Sequence, residues 1–312
     1  MNILQNNNNE KEEDLINLAL KKYENEELFE FLNIINNNKI IKEKILEQKD
    51  ENFKKLLMFE EDMIDFFIKE INDTEGYKKI SGSKLDISTK WINKVVTLKF
   101  IKEVELDIIS FISMIYEIDY YKHWNSFVTI SETLKQPGKA KKCGYFVVNL
   151  PIIYSRDFLI YGFGINRIKE NGTILLLCRG IDEECGLFKE EFKNTVNKKY
   201  VRANLLMFGA EIKILGEKKV LLRGLVNADL KFFIPIPQFT INLTIKFFSE
   251  KLFNDFVKIV NNYKGSKYEN KNKNKIDIEF YEFLIKEINE NLEDNNVKKL
   301  MEKDESIFNS KK

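Results

Sequence analysis

The chain has 312 residues, 44% hydrophobic and 32% charged, and its 50 Lys+Arg against 49 Asp+Glu leave a formal net charge of +1. That size and apolar share suit a packed globular core with an extension, and the balanced charge argues against a dedicated nucleic-acid binder, which normally carries a basic excess. No stretch approaches the ~18 apolar residues of a spanning helix, and MNILQNNNNEKEED lacks a signal-peptide apolar run, so a soluble, cytoplasmic chain is expected.

Residues 10–72 carry helical spacing, first through Leu15, Leu18, Tyr23, Leu28, Phe31, Leu32 and Ile35, then through Phe53, Leu56, Leu57, Met63, Ile64, Phe67 and Ile71. INDTEG at 71–76 ends this region, with Gly76 as a C-cap candidate. The pattern changes at 82–100, where rough alternation and β-branched residues predict two or three strands. Helical spacing returns at 104–118 through Val104, Ile108, Phe111, Ile112 and Ile115. Strands follow near 125–133, 142–150, 156–168, 172–180, 199–215 and 218–230, separated by QPGK, NG and GEKK turn signals. Pro235 and Pro237 open a long Phe-rich helix over about 238–262, and a further helix is expected at 276–290. Runs of Asn and Lys at 6–9, 35–39 and 270–275 read as solvated linkers.

Candidate chemistry is sparse. The one histidine, His123, sits beside Trp124, and no G-x-S-x-G occurs, so a histidine-dependent triad is not expected. Cys143, Cys178 and Cys185 form no C-x-x-C pair and read as buried thiols rather than metal ligands. GFGINR at 162–167 has Arg167 at the third glycine position of a dinucleotide loop and leads towards a hairpin, not a helix. Glycines inside a strand instead mark a bend, a bulge or close approach. No cofactor and no metal are expected.

Taken in order, four stretches carry a resemblance: His123-Trp124 after an early helix, LPIIYSRDF at 150–158, YVRANLLMFGAEI at 200–212 and NADLKFFIPIPQFTINLTIKFF at 227–248. Across about residues 52–262 the sequence resembles the START family of lipid-binding domains. The resemblance implies an α+β, helix-grip fold: a curved antiparallel sheet around a long C-terminal helix, enclosing one lipid in an apolar tunnel. It implies a lipid carrier, with no enzymatic step. The expected organisation is a helical, low-complexity extension at 1–50, the lipid-binding domain at 51–263, and a polar linker, helix and tail at 264–312.

Strand parity assigns a tunnel wall. If Glu211 and Lys213 face water, then Asn204, Leu206 and Phe208 face inward. If Arg179 is exposed, Ile174, Leu176 and Cys178 face inward. The family's pocket arginine matches Gly162, which places Phe158, Ile160 and Gly164 on the same wall. Cys143 falls about where an acidic partner of that arginine would lie, and Val147 on the same strand joins the lining. The last helix would contribute Phe239, Leu243 and Phe247. The proline loop, Asn149, Leu150, Pro151, Ile152, Ile153 and Tyr154, would be the gate and membrane contact. Trp124, Arg156, Asp157 and Arg202 are read as scaffold, with Arg202 a candidate partner for Asp157. The resulting pocket is neutral and apolar, so the expected ligand is a phospholipid of one or several classes. The protein is expected to be a monomer that touches membranes peripherally and transiently during exchange. The rival expectation is a regulatory module that senses lipid and signals through residues 1–50 without transferring it.

Overall fold

The computed structural model describes residues 2–80, 85–92, 94–149, 154–182, 187–192, 195, 199–232, 238–266, 268–269 and 275–293. Four helices come first: α1 (Asn2–Glu24), α2 (Leu28–Asn36), α3 (Lys39–Gln48) and α4 (Glu51–Asn72). They are followed by β1 (Lys78–Lys79), β2 (Asp86–Ile92), β3 (Val95–Glu105), α5 (Ile108–Tyr116), a 3-10 turn (Ile118–Tyr120) and α6 (Tyr121–Trp124). Next come β4 (Val128–Gly138), β5 (Lys141–Val148), β6 (Arg156–Arg167), α7 (Ile168–Asn171), β7 (Thr173–Gly180) and α8 (Lys189–Phe192). The chain continues through β8 (Val201–Arg202), β9 (Asn204–Gly216), β10 (Lys219–Asp229), α9 (Gln238–Asn261) and α10 (Lys275–Glu293).

Short polar side chains fix where helices begin. Asn38, Asp50 and Asp107 accept the backbone N–H groups of Ile41, Phe53 and Ser110 at 3.2, 2.8 and 2.8 Å. The asparagine-rich stretch at 35–39 is therefore a helix junction with a working cap. Asp107 also corrects the helix expected at 104–118. Val104 is still in β3, opposite Val220 of β10, and the helix starts only after Asp107.

The strands form one curved, antiparallel sheet in the order β1-β2-β3-β10-β9-β7-β6-β5-β4, with β8 added parallel to the start of β6. Both faces are covered. On the outer face, Leu57, Met63 and Phe67 of α4 and Phe31, Ile35, Ile41 and Ile45 of α2 and α3 share a core with Tyr161, Phe163, Leu177 and Met207. Phe67 lies directly on Gly209, where a Cβ would collide with the ring. On the inner face, α5, the second half of α9 and α10 pack on the ends of β7, β9 and β10 through Phe111, Phe256, Phe280, Ile212 and Leu222.

The covered outer face corrects one expectation. Glu211 does not face water; it is buried and pairs with Arg223 at 3.0 Å, while Arg223 also reaches the end of α4 at Ile71 and Asn72. Arg179 is half-buried with its guanidinium over the Phe59 ring of α4. Parity is preserved, but the side opposite the inner face belongs to α1–α4 rather than to solvent.

Candidate functional site

Register defines the inner face as rows running across the strands, because Cα partners in an antiparallel sheet point the same way. One row is Lys142, Gly162, Cys178, Phe208, Val226 and Leu98. The next is Gly164, Leu176, Ala210, Gly224 and Phe100. The middle of the sheet thus has a small-residue floor flanked by aromatic and aliphatic side chains. The Phe100 ring lies over Gly224, whereas a Cβ at Gly162 or Gly164 would make ordinary van der Waals contacts, its nearest neighbours at 3.4 and 3.5 Å. Burial raises the Cys178 thiol and pushes Cys143 up to about 12, so both stay protonated and poorly nucleophilic at neutral pH. Among the described residues no cluster of His, Cys, Asp and Glu could hold a metal ion.

One end of this face gathers several strand ends. The end of β5, the starts of β6, β8 and β9, the end of β10 and the β2–β3 hairpin meet there by register. Phe146 and Phe158 stack at 4.9 Å beside Ala203, Leu205 and Leu230. Three aromatic side chains near this end are exposed: Trp91 is 52%, Tyr154 76% and Phe232 46% exposed.

Arg156 and Asp157 serve this end in different ways. Asp157 points outward, where Arg202 of the adjacent β8 grips it with two bonds of 3.1 and 2.9 Å and the Tyr145 hydroxyl donates at 3.2 Å. Arg156 points the other way and is fully buried. Its Nε donates to the Leu230 carbonyl at 3.0 Å and a terminal nitrogen donates to the Tyr154 carbonyl. One guanidinium therefore ties the loop before β6 to the segment leading into α9.

The opposite end is plugged by α10. Lys142 lies over the Tyr116 ring at 3.4 Å and pairs with Asp277 at 3.3 Å and Glu117 at 3.8 Å. Tyr116 and Gln136 donate to Asp277 at 3.0 and 3.1 Å, Tyr281 donates to Glu117 at 3.1 Å, and Phe280 stacks on Tyr116 at 4.2 Å. The inner face is therefore not wholly neutral: the position across from Gly162 carries a cation, neutralised in part from a helix outside the stretch that carries the sequence resemblance.

No family model matches this chain, and no curated protein matches it. Solved structures do. Human STARD10 superposes with a TM-score of 0.54 at 17% identity, over 65% of this chain and 80% of that one. Human StAR-related lipid transfer protein 5 gives 0.53 at 15% identity, over 66% and 96%. The fold is that of the START domain.

Within this START fold, Phe158, Ile160, Gly162, Gly164, Ile174, Leu176, Cys178 and Phe208 share the inner face, with Ile174 towards the α10 end beside Ile212. Cys143 does not join them. It is the partner of Tyr161 and is buried among the α1–α4 side chains, and Val147, four residues on, shares its face. The inner residues of β5 are Lys142, Gly144, Phe146 and Val148 instead, with Ile118 lying over Gly144. A bulge in β9 changes its first residues: Ala228 pairs with Leu205 but Asn227 with Met207, so Leu206 is extra. Leu205 thereby joins the inner cluster, and Asn204 turns to Asp182 at 3.0 Å.

The helix α9 also presents a different stripe. Phe239, Leu243 and Phe247 are 77%, 58% and 61% exposed and run in line with exposed Asn254 and Lys258. Ile245, Phe253 and Phe256 are the residues packed inward. Leu150, Pro151, Ile152 and Ile153 lie outside the described residues, whereas Asn149 is tied back to the Phe127 carbonyl at 2.7 Å. Trp124 packs on Phe256 and Tyr121 at 5.0 and 5.8 Å. Trp91, Phe232 and Lys142 escaped the sequence reading. A lone aromatic beside a hairpin and a lysine pair in a strand carry no periodic signal.

Proposed function

We propose that this protein binds one lipid, with phospholipids as the cargo class, against the inner face of its START fold and moves it between membranes inside the cell. The supporting observation is the ladder of apolar and small residues in cross-strand rows on the inner face, which ends near the exposed aromatics Trp91, Tyr154 and Phe232. Each acyl methylene taken from water onto such a face gains about 0.8 kcal/mol, enough for a long chain to compete with a bilayer without covalent chemistry. Trp91, Tyr154 and Phe232, with the outward ridge Phe239, Leu243 and Phe247 on α9, are the surface that meets the headgroup region, and the proline loop at 149–154 is the gate. Contact is peripheral: no described helix is long and apolar enough to cross a membrane.

The reading includes no bond-making step. Burial raises the pKa of both thiols described, and His123 is exposed on α6 beside Tyr120 and Tyr268. The human StAR-related lipid transfer protein 5 is named for transfer, and the same fold supports that reading here.

Mass spectrometry of lipid retained by the purified full chain, followed by transfer of labelled phosphatidylcholine between vesicles, tests it. Bound phospholipid with transfer supports a carrier. Bound lipid without transfer supports a sensor. No uptake of any lipid removes the proposal, as does conversion of the lipid to a new species.

A further inference from the structure

Arg156 is the largest of the fully buried side chains, at 2% exposure. A guanidinium removed from water normally brings an anion with it. Two other buried cations do so, Lys141 meeting Glu60 at 2.7 Å and Lys142 meeting Asp277 and Glu117, while buried Lys99 donates to the Glu70 and Asp73 carbonyls with the charges of both residues acting on it. Among the described residues Arg156 meets only the carbonyls of Leu230 and Tyr154, with the Phe232 ring 5.5 Å away. Burial is the one influence on its acidity and lowers its pKa, as expected of a cation with no counter-charge. Two of its five N–H groups are used, and the second terminal nitrogen has no acceptor among the described residues.

Its position gives this unspent charge a direction. Arg156 is the partner of Val148 and continues the inner row of Phe158 and Ile160, so it stands at the end of the apolar face where the strand ends gather. At the far end Lys142 is already met by two carboxylates. We propose that Arg156 receives the phosphate of the cargo lipid, so that the headgroup sits at the Arg156 end and the acyl chains run inward along the Gly162–Gly164 floor towards α10. A guanidinium fork matches two phosphate oxygens at once. The inference rests on the lipid-binding reading and adds to it the headgroup chemistry and the orientation of the cargo. Arg156 also holds the Tyr154 and Leu230 carbonyls.

The test loads the full chain from vesicles holding phosphatidylcholine and diacylglycerol of matched chains, and reads the ratio of the two bound lipids by mass spectrometry. Wild type is expected to prefer the phosphate-bearing lipid. Arg156→Gln, which can still donate to both carbonyls, is expected to lower that ratio about tenfold or more, with Arg156→Lys in between. A residue that only braces the gate would lower both lipids together and leave the ratio unchanged, which would overturn the proposal. Wild type without any preference overturns it as well, and requires no variant to fold. Flotation with phosphatidylcholine vesicles separates the sources of phosphate: loss of vesicle binding with an unchanged cargo ratio assigns Arg156 to the bilayer surface and refutes the cargo assignment. If wild type takes up neither lipid, the lipid-binding reading itself fails.

Discussion

Glu60 is the residue on which the docking of α4 turns. It is wholly buried, and its Oε1 accepts from Lys141 Nζ at 2.7 Å and from the Tyr161 hydroxyl, both on the sheet. A buried pair of this kind contributes little net stability but is severe to break, because one charge is then left in a low-dielectric core. Glu60→Ala is expected to lower stability by about 3–5 kcal/mol in urea unfolding, and Glu60→Leu with Lys141→Met to recover most of that loss. A single variant as stable as wild type would show that Lys141 has another route to water. Glycines at the same scale divide by what stands over them. Gly209→Ala pushes a methyl into the Phe67 ring and is expected to lose about 1–3 kcal/mol, whereas Gly162→Ala meets only ordinary contacts and is expected to stay within about 1 kcal/mol of wild type. Two thermal melts decide it; equal losses at the two sites would contradict the difference in what stands over them.

Two elements, α9 and α10, show how far sequence periodicity reaches. The Phe-rich stripe of α9 is legible as a helix, but periodicity cannot choose between a core face and a ridge when apolar residues occupy both sides. Phe239, Leu243 and Phe247 are the outer side, so replacing Phe239 and Phe247 by Ser is expected to change stability by no more than about 0.5 kcal/mol while slowing vesicle-to-vesicle transfer. A loss of about 3 kcal/mol or more would place them in the core after all. For α10 the decisive residue is Asp277. Burial raises its pKa, but Lys142 and the donors Tyr116 and Gln136 outweigh burial and hold it below the ordinary carboxylate value. A folded-state pKa below the unfolded one stabilises the fold above about pH 4 and is lost as pH falls through the folded value. Wild type is therefore expected to lose stability between about pH 5 and 3 more steeply than Asp277→Asn. Parallel acid-titrated melts would disprove the clamp. Strand positions and the inner parity of β6 and β7 were readable because alternation survives along regular strands. Cys143, Val147 and Asn204 were not, since β5 parity must be set from its partner and the β9 bulge leaves no mark in composition.

At the scale of the molecule, what the sequence conceals is that the sheet is covered twice. An N-terminal stretch with asparagine runs reads as an appendage, yet Ile16, Ala19, Phe31, Leu32, Ile35, Ile41 and Ile45 are buried in the same cluster as α4 and the outer face. Helical spacing shows that such residues share a face but not which surface receives it. The physics of the receiver is clearer: without α1–α3, the apolar groups packed around Phe67, Tyr161 and Phe163 would meet water. Burying an aliphatic or aromatic side chain is worth about 1.5–3 kcal/mol, so these helices supply on the order of 10 kcal/mol before their own ordering entropy is subtracted. A domain typically has only about 5–15 kcal/mol in total. A chain beginning at residue 49 is therefore expected to aggregate or to melt without cooperativity, and a fragment spanning 51–263 to fare worse, because it also lacks the Lys142–Asp277 clamp. Circular dichroism melts of both against the full chain test this. A cooperative transition within a few degrees of the full chain would mean that α1–α3 ride on a domain that stands by itself, and would return the sensor reading, in which those helices are free to signal, to the front.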